Sequence, residues 1–176
     1  MDVFEAIRIR RSIRKFKSKP VEGYKLQRIL EAGRLSPSTA NTQPWHFIVV
    51  TDPSVRDTLI LAHKRDPNYA STSHIINAPV LIVACADVDI GWVRKDGEEY
   101  WKVDVAIALQ SIVLCATEEG LGTCWIAAFD EEATRKALKI PKEIRILAMI
   151  PLGYADETIA ASDRKPLSET IHYEHW

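Results

Sequence analysis

From Val105 to Ala116 the chain reads Val-Ala-Ile-Ala-Leu-Gln-Ser-Ile-Val-Leu-Cys-Ala, without a single charge. Its length and alanine content favour helix over strand. A helix that is apolar nearly all round has to be covered on every side, and this one is too short to cross a bilayer. In a chain of 176 residues, a central place against a sheet, completed by a partner subunit, provides that cover. Gly120 or Gly122 ends the helix.

Other elements are predicted around that centre. Asp2 caps a short helix to Ile9 with Val3, Phe4 and Ile7 on one side. A second helix runs from Glu22 to Leu35, where Leu26, Ile29, Leu30 and Gly33 recur at helical spacing. Asp52 and Pro53 open a third, through His63. Asp130 caps a surface helix from Glu131 to Leu138. Strands are predicted at Trp45–Thr51, at Pro79–Ala86, at Thr123–Ala127 and at Arg145–Gly153. The run Pro79–Ala86 reads as buried on both faces. Lys64 to Asn77 is polar, with room for one short helix, and Asp87 to Gly97 is a loop. Trp45 and Trp125 read as core aromatics, while Trp92, Tyr100 and Trp101 are candidates for lining a substrate pocket. No repeat or linker divides residues 1–176, so one α+β domain is expected.

Charge is unevenly placed. Seven positive charges and no acid fall between Arg8 and Lys19, leaving 16 basic against 24 acidic residues elsewhere. A local positive patch on a faintly acidic chain suits one anionic group held at one place rather than a nucleic acid spread over a surface. Guanidinium forks at Arg10, Arg11 and Arg14, with the Ser12 hydroxyl, are donors suited to a phosphate. The alternative is a solvated basic face. A second basic cluster, Arg164-Lys165-Pro166, lies in the polar tail from Ala155, which ends in Tyr173 and Trp176.

Several chemistries lack their residues. There is no phosphate-loop G-x-x-x-x-G-K-[ST], no G-x-S-x-G and no H-E-x-x-H. Gly120-Leu121-Gly122 follows a helix, whereas a dinucleotide fingerprint follows a strand and needs a third glycine. His172 and His175 are three apart in a tail without further ligands, so no metal site is expected. Cys85, Cys115 and Cys124 form no CxxC and sit among apolar residues, as buried free thiols of a reducing, cytoplasmic compartment. The N-terminus has no secretory signal pattern. With no nucleophile, metal or base pair in view, the chemistry is expected to come from a cofactor.

Four segments in order carry a resemblance. Arg10-Arg11-Ser12-Ile13-Arg14 is similar to the opening motif of the FMN-dependent nitroreductase family. Ser36-Pro37-Ser38-Thr39-Ala40-Asn41-Thr42-Gln43-Pro44-Trp45 resembles its second motif and Gly120-Leu121-Gly122-Thr123-Cys124-Trp125-Ile126 its third. Pro151-Leu152-Gly153-Tyr154, with Arg164-Lys165-Pro166-Leu167, resembles its fourth.

The resemblance implies a nitroreductase-like fold, with a mainly antiparallel sheet flanked by helices and a C-terminal arm exchanged across a homodimer. It implies FMN, its phosphate gripped by Arg10, Arg11, Ser12, Arg14 and Arg164, with Lys165 as a neighbour. Pro37, Ser38, Asn41 and Gln43 match positions facing the ribityl chain and the ring edge, where amides can both donate and accept. Trp125, Ile126 and Ala127 fall at the third motif, where backbone N–H groups of Ile126 and Ala127 are expected to face the flavin N5 and O4. Ala127 stands where many relatives carry glycine. No side chain is implied as catalytic, because flavin N5 carries the hydride. The implied activity is NAD(P)H-dependent, ping-pong reduction of nitroaromatics, quinones or other electron-poor acceptors.

Alternatives within the fold are a reductive dehalogenase, a flavin-fragmenting enzyme and an oxidase of a peptide-like substrate. A dehalogenase would need an acid, a tyrosine and a lysine in a lid, drawn from Tyr69 and Lys64 or from Glu98, Tyr100 and Lys102. A flavin-binding or anion-binding protein without turnover is the alternative of another class.

Overall fold

The computed structural model describes residues 1–72 and 76–176. Along them run α1 (Val3–Ile9), α2 (Gly23–Arg34), β1 (Trp45–Val50), α3 (Pro53–Lys64), β2 (Val80–Asp87), α4 (Trp101–Glu118), β3 (Gly122–Thr123), α5 (Glu131–Leu138) and β4 (Ile144–Gly153). Short 3-10 turns occupy Thr39–Asn41 and Leu167–Glu169. Of the stretch from Lys64 to Asn77, where one short helix is expected, residues 73–75 lie outside the described residues.

β2 organises the sheet, whose order is β1-β2-β4-β3 with every pair antiparallel. Val80, Ile82, Ala84 and Ala86 enter one apolar cluster, and Leu81, Val83 and Cys85 enter another. Strand side chains alternate between faces, so a strand covered on both sides has no place for a polar residue, and Val80 to Ala86 are all buried. The first cluster is filled by α2 and α4, through Ile29, Val105, Leu109 and Ile112. The second receives Leu59 of α3, with Ala137 and Leu138 of α5 packed against it.

The caps follow the sequence. Asp2 accepts from Glu5 N–H, Asp52 from Ser54 N–H and Asp130 from Ala133 N–H. Gly120, at φ 75°, ends α4 in a Schellman motif, its N–H reaching Thr117 O while Leu121 N–H reaches Ala116 O.

Three expectations need correction. The central helix begins at Trp101, because the acid that ends the uncharged run, Asp104, is itself buried. The strand expected at Thr123–Ala127 is only a two-residue ladder with a further bridge at Ile126–Met149. Thr123 pairs Leu152 and Ile126 pairs Met149, so the residue facing Cys124 is Pro151, which has no N–H to donate. Trp125 is 38% exposed, outside the core, whereas Trp101 is buried within it. Val103 and Ile107 of the central helix are exposed in the single chain.

Candidate functional site

The basic loop is extended and stitched to distant segments. Ile13 N–H donates to Thr123 O (2.9 Å), Lys17 N–H to Tyr154 O (2.9 Å) and Asp156 N–H to Lys15 O (2.9 Å). Glu157 Oε1 accepts from the backbone N–H of Arg14 (2.5 Å) and of Lys15 (3.0 Å). These two bonds, Arg14 first, hold the Glu157 carboxyl below the usual carboxylate range. The first, third and fourth sequence motifs thus meet in one place.

A cavity of about 400 Å³ opens there, lined by Arg8, Arg10, Arg11, Ser12, Arg14, Ser162 and Arg164, with apolar walls and no acid. Five guanidiniums around a cavity without a carboxylate repel one another unless an anion joins them. Arg11 is partly committed elsewhere, since its Nη1 donates to Arg8 O and Arg10 O (both 2.8 Å). Its Nε is buried and has no partner among the described residues. The guanidiniums of Arg14 and Arg164 rest on nearby backbone carbonyls, at Ser12 and at Ser162 and Asp163. Lys165 is exposed and does not line the cavity. Burial raises the Cys124 thiol, and the charges of Arg14 and Arg10 act against that rise.

The second motif lies elsewhere. Ser36 Oγ donates to Ser111 Oγ (2.8 Å) and Thr39 N–H to Asp104 Oδ1 (2.8 Å), so the segment climbs toward the start of α4. α1 and the basic loop lie toward the helix's other end, where the Met1 amino group pairs with Glu118. Asn41 and Gln43 are exposed, and Gln43 Nε2 donates to Asn41 Oδ1 (3.1 Å). Ser38 Oγ accepts from Gln43 N–H (2.9 Å), and Pro37 is exposed.

At the third motif one expectation changes. The Ile126 N–H donates to Met149 O (3.0 Å) and is spent on the sheet. Trp125 and Ala127 flank it on the surface. Of the pocket aromatics, Tyr100 meets Trp92 edge to face at 5.0 Å. Sequence reading missed Glu157 and Asp104. Neither sits in a recognisable pattern, but Asp104 carries a signal: it is the only acid between Trp101 and Ala116.

Among the described residues no group of three His, Cys, Asp or Glu is arranged to hold a metal ion. Among those residues, too, no helix is long and apolar enough to cross a membrane.

Residues 7–154 match the profile of the Nitroreductase family. A Methanothermobacter thermautotrophicus protein, named for NADH dehydrogenase and NAD(P)H nitroreductase activity, is 33% identical over 100% of this chain and 88% of its own. A nitroreductase family protein of Clostridium difficile superposes with TM-score 0.87 at 27% identity, covering 100% of both chains. An FMN-dependent nitroreductase from a second strain of that organism gives TM-score 0.81 at 32% identity, over 98% of this chain and 99% of that one. An iodotyrosine dehalogenase 1 homolog of Caenorhabditis elegans is 28% identical over 93% of this chain and 58% of its own. The profile match, the identity along the whole length and the shared fold agree: the chain belongs to the nitroreductase family of oxidoreductases.

Proposed function

We propose that this chain is an FMN-dependent oxidoreductase. In this reading it takes electrons from NADH or NADPH and reduces nitroaromatics, quinones or other electron-poor acceptors in a ping-pong cycle, in the cytoplasm. The observation that carries it is the acid-free cavity where Arg10, Ser12 and Arg14 meet Arg164 from the far end of the sequence. A phosphate dianion wants several fixed donors, and the unpartnered Nε of Arg11 adds one more. When bound, FMN supplies the hydride-transfer chemistry that the side chains lack. The chain's own residues bind and orient: the arginines hold the phosphate, the Asn41 and Gln43 amides meet the ribityl and ring edge, and the Ala127 backbone serves the ring. An acceptor need only share the place the nicotinamide has left, which is why no separate dinucleotide motif is required.

The reading includes a homodimer with two cofactor sites. From Asp104 to Glu118 the helix rises about 21 Å, and the second motif and the arginine cavity lie toward its opposite ends. A second copy that contributes Asn41 and Gln43 brings both groups to one ligand. Val3, Phe4 and Ile7 of α1, and Val103 and Ile107 toward the opposite end of α4, are exposed apolar side chains for such a partner to cover. Residues 160–176 are exposed throughout, with Tyr173 at 80% and Trp176 at 102%, and β1 ends the sheet as an unpaired edge. An arm laid over a neighbour accounts for both.

A yellow flavin spectrum in the purified protein, bleached anaerobically by NADH or NADPH, tests cofactor and turnover together. Parallel double-reciprocal plots test the shared place, and intersecting lines would refute it. A dehalogenase remains a relative's activity. Here Tyr100 Oη accepts from Arg94, Lys102 pairs with Glu99 and Tyr69 contacts the His63 ring.

A further inference from the structure

Asp104 is fully buried, and its side chain makes two hydrogen bonds among the described residues, both to Thr39. Oδ1 accepts from the Thr39 N–H at 2.8 Å and from its hydroxyl at 3.0 Å. Oδ2 is buried with no partner among the described residues. A buried carboxylate with a bare oxygen is costly in a core position, and alanine or leucine would suit α4 better there.

The gain lies in the loop that Asp104 holds. Ala40, Asn41 and Gln43 have φ of 51°, 57° and 48°, three non-glycine residues in the left-handed region within four positions. Such conformations persist only where the surroundings enforce them. Within the loop Asn41 N–H reaches Ser38 O, Thr42 N–H reaches Thr39 O and Gln43 N–H reaches Ser38 Oγ. Those bonds shape the loop but fasten it to nothing else. Asn41 and Gln43 are exposed, so packing does not fix them. Ser36 and Pro44 tie the two ends, to Ser111 and to Asp87 N–H. Between those ends, the pair of bonds from Thr39 to Asp104 joins the loop to the rigid helix.

We propose that Asp104 is a positioning residue: through Thr39 it clamps the Ser38–Gln43 loop in its strained form, so that the Asn41 and Gln43 amides are already aimed at the non-phosphate part of the cofactor. Asp104 touches no ligand. The proposal rests on the FMN reading for its second half only, since the clamp exists without ligand.

The test compares Asp104→Ala, Asp104→Asn and Thr39→Ala with the parent protein. Amide hydrogen exchange in the ligand-free protein reads the clamp. Asp104→Ala should accelerate exchange at Asn41, Thr42 and Gln43, while β2 and β4 stay protected. Dissociation constants read the aim. Asp104→Ala should weaken FMN and riboflavin by the same factor, about tenfold or more, because the lost contacts are not to the phosphate. Asp104→Asn keeps an acceptor for Thr39 and should restore affinity to within about threefold of the parent. Thr39→Ala removes one of the two bonds from a less buried position and should give an intermediate loss in both ligands, even where Asp104→Ala folds poorly. Unchanged exchange in the loop of the folded variants would overturn the clamp. Faster exchange with unchanged affinity for both flavins would overturn the aim. A parent protein that binds neither flavin would instead remove the cofactor reading and leave the exchange result standing.

Discussion

The backbone N–H of Arg14 donates to the Glu157 carboxylate at 2.5 Å, across 143 positions of sequence. That bond joins the chain's basic opening to the segment that follows its last strand. It also holds the Glu157 carboxylate at the Arg14 backbone, outside the lining of the arginine cavity. The Glu157 carboxylate is held by the Arg14 and Lys15 amides and also interacts with the charges of those two residues.

Acid should therefore loosen this part of the fold. The Glu157 carboxyl is depressed in the folded state, first by the Arg14 N–H. A depressed carboxyl contributes stability above its ordinary value, about 4.3, and loses it as pH falls toward the folded value. Glu157→Gln should melt lower than the parent at pH 7, and the difference should shrink steadily below about pH 4.5. A difference independent of pH would mean that the charge of Glu157 plays no part.

Arg14→Ala and Arg164→Ala should each weaken FMN far more than riboflavin. Loss of one charge-assisted pair costs about 1.5–3 kcal/mol, or roughly tenfold to over a hundredfold. Fluorescence titration of both ligands checks it. Equal losses for both would assign these arginines to the fold instead of the phosphate.

Two glycines separate fold from site. A Cβ at Gly122 would lie 2.7 Å from Ile13 Cγ1, and one at Gly33 would lie 2.8 Å from Ile112 Cδ1. Both substitutions to alanine should cost about 1–3 kcal/mol in stability, the usual range for overpacking. Ile13 sits between Ser12 and Arg14, so Gly122→Ala should also lower FMN affinity. Gly33→Ala, which presses α2 on α4, should leave FMN affinity within about twofold at temperatures where the protein stays folded. Thermal melts and titrations on the two variants decide the point.

Local signals made the elements legible. The acids Asp2, Asp52 and Asp130 named three helix starts, and the uninterrupted run Val80–Ala86 named a strand covered on both faces. The convergence of Arg14 and Arg164 on one cavity was readable only through the family resemblance, since nothing local to either residue points to the other. Long-range pairing hid the rest. Pro151 interrupts the ladder at Cys124 only because of a register that the sequence does not state. Ile126 looked free to serve a ligand, yet its N–H belongs to Met149. Asp104 was passed over because an acid next to an apolar run reads as the run's solvated end, and its partner, Thr39, is 65 positions away.

Truncation after Ala161 should abolish both the dimer and tight FMN binding, because the arm and Arg164 leave together. Glu157 and Ile159 are retained, so the Arg14 clamp survives and the loss reports on the arm. Arg164→Ala in the full chain separates the two effects: it should stay dimeric in sedimentation while losing FMN. The apolar side chains of Val3, Phe4, Ile7, Val103 and Ile107 would be uncovered in a monomer, and each large side chain that a partner buries contributes about 1.5–3 kcal/mol. A dimer that buries them should melt at a temperature that rises with protein concentration. The truncated chain should lose that dependence. If it sediments as a dimer and still holds FMN as tightly as the parent, then neither the arm nor Arg164 completes the site, and the cavity at Arg10 and Arg14 must serve the anion with the residues that remain.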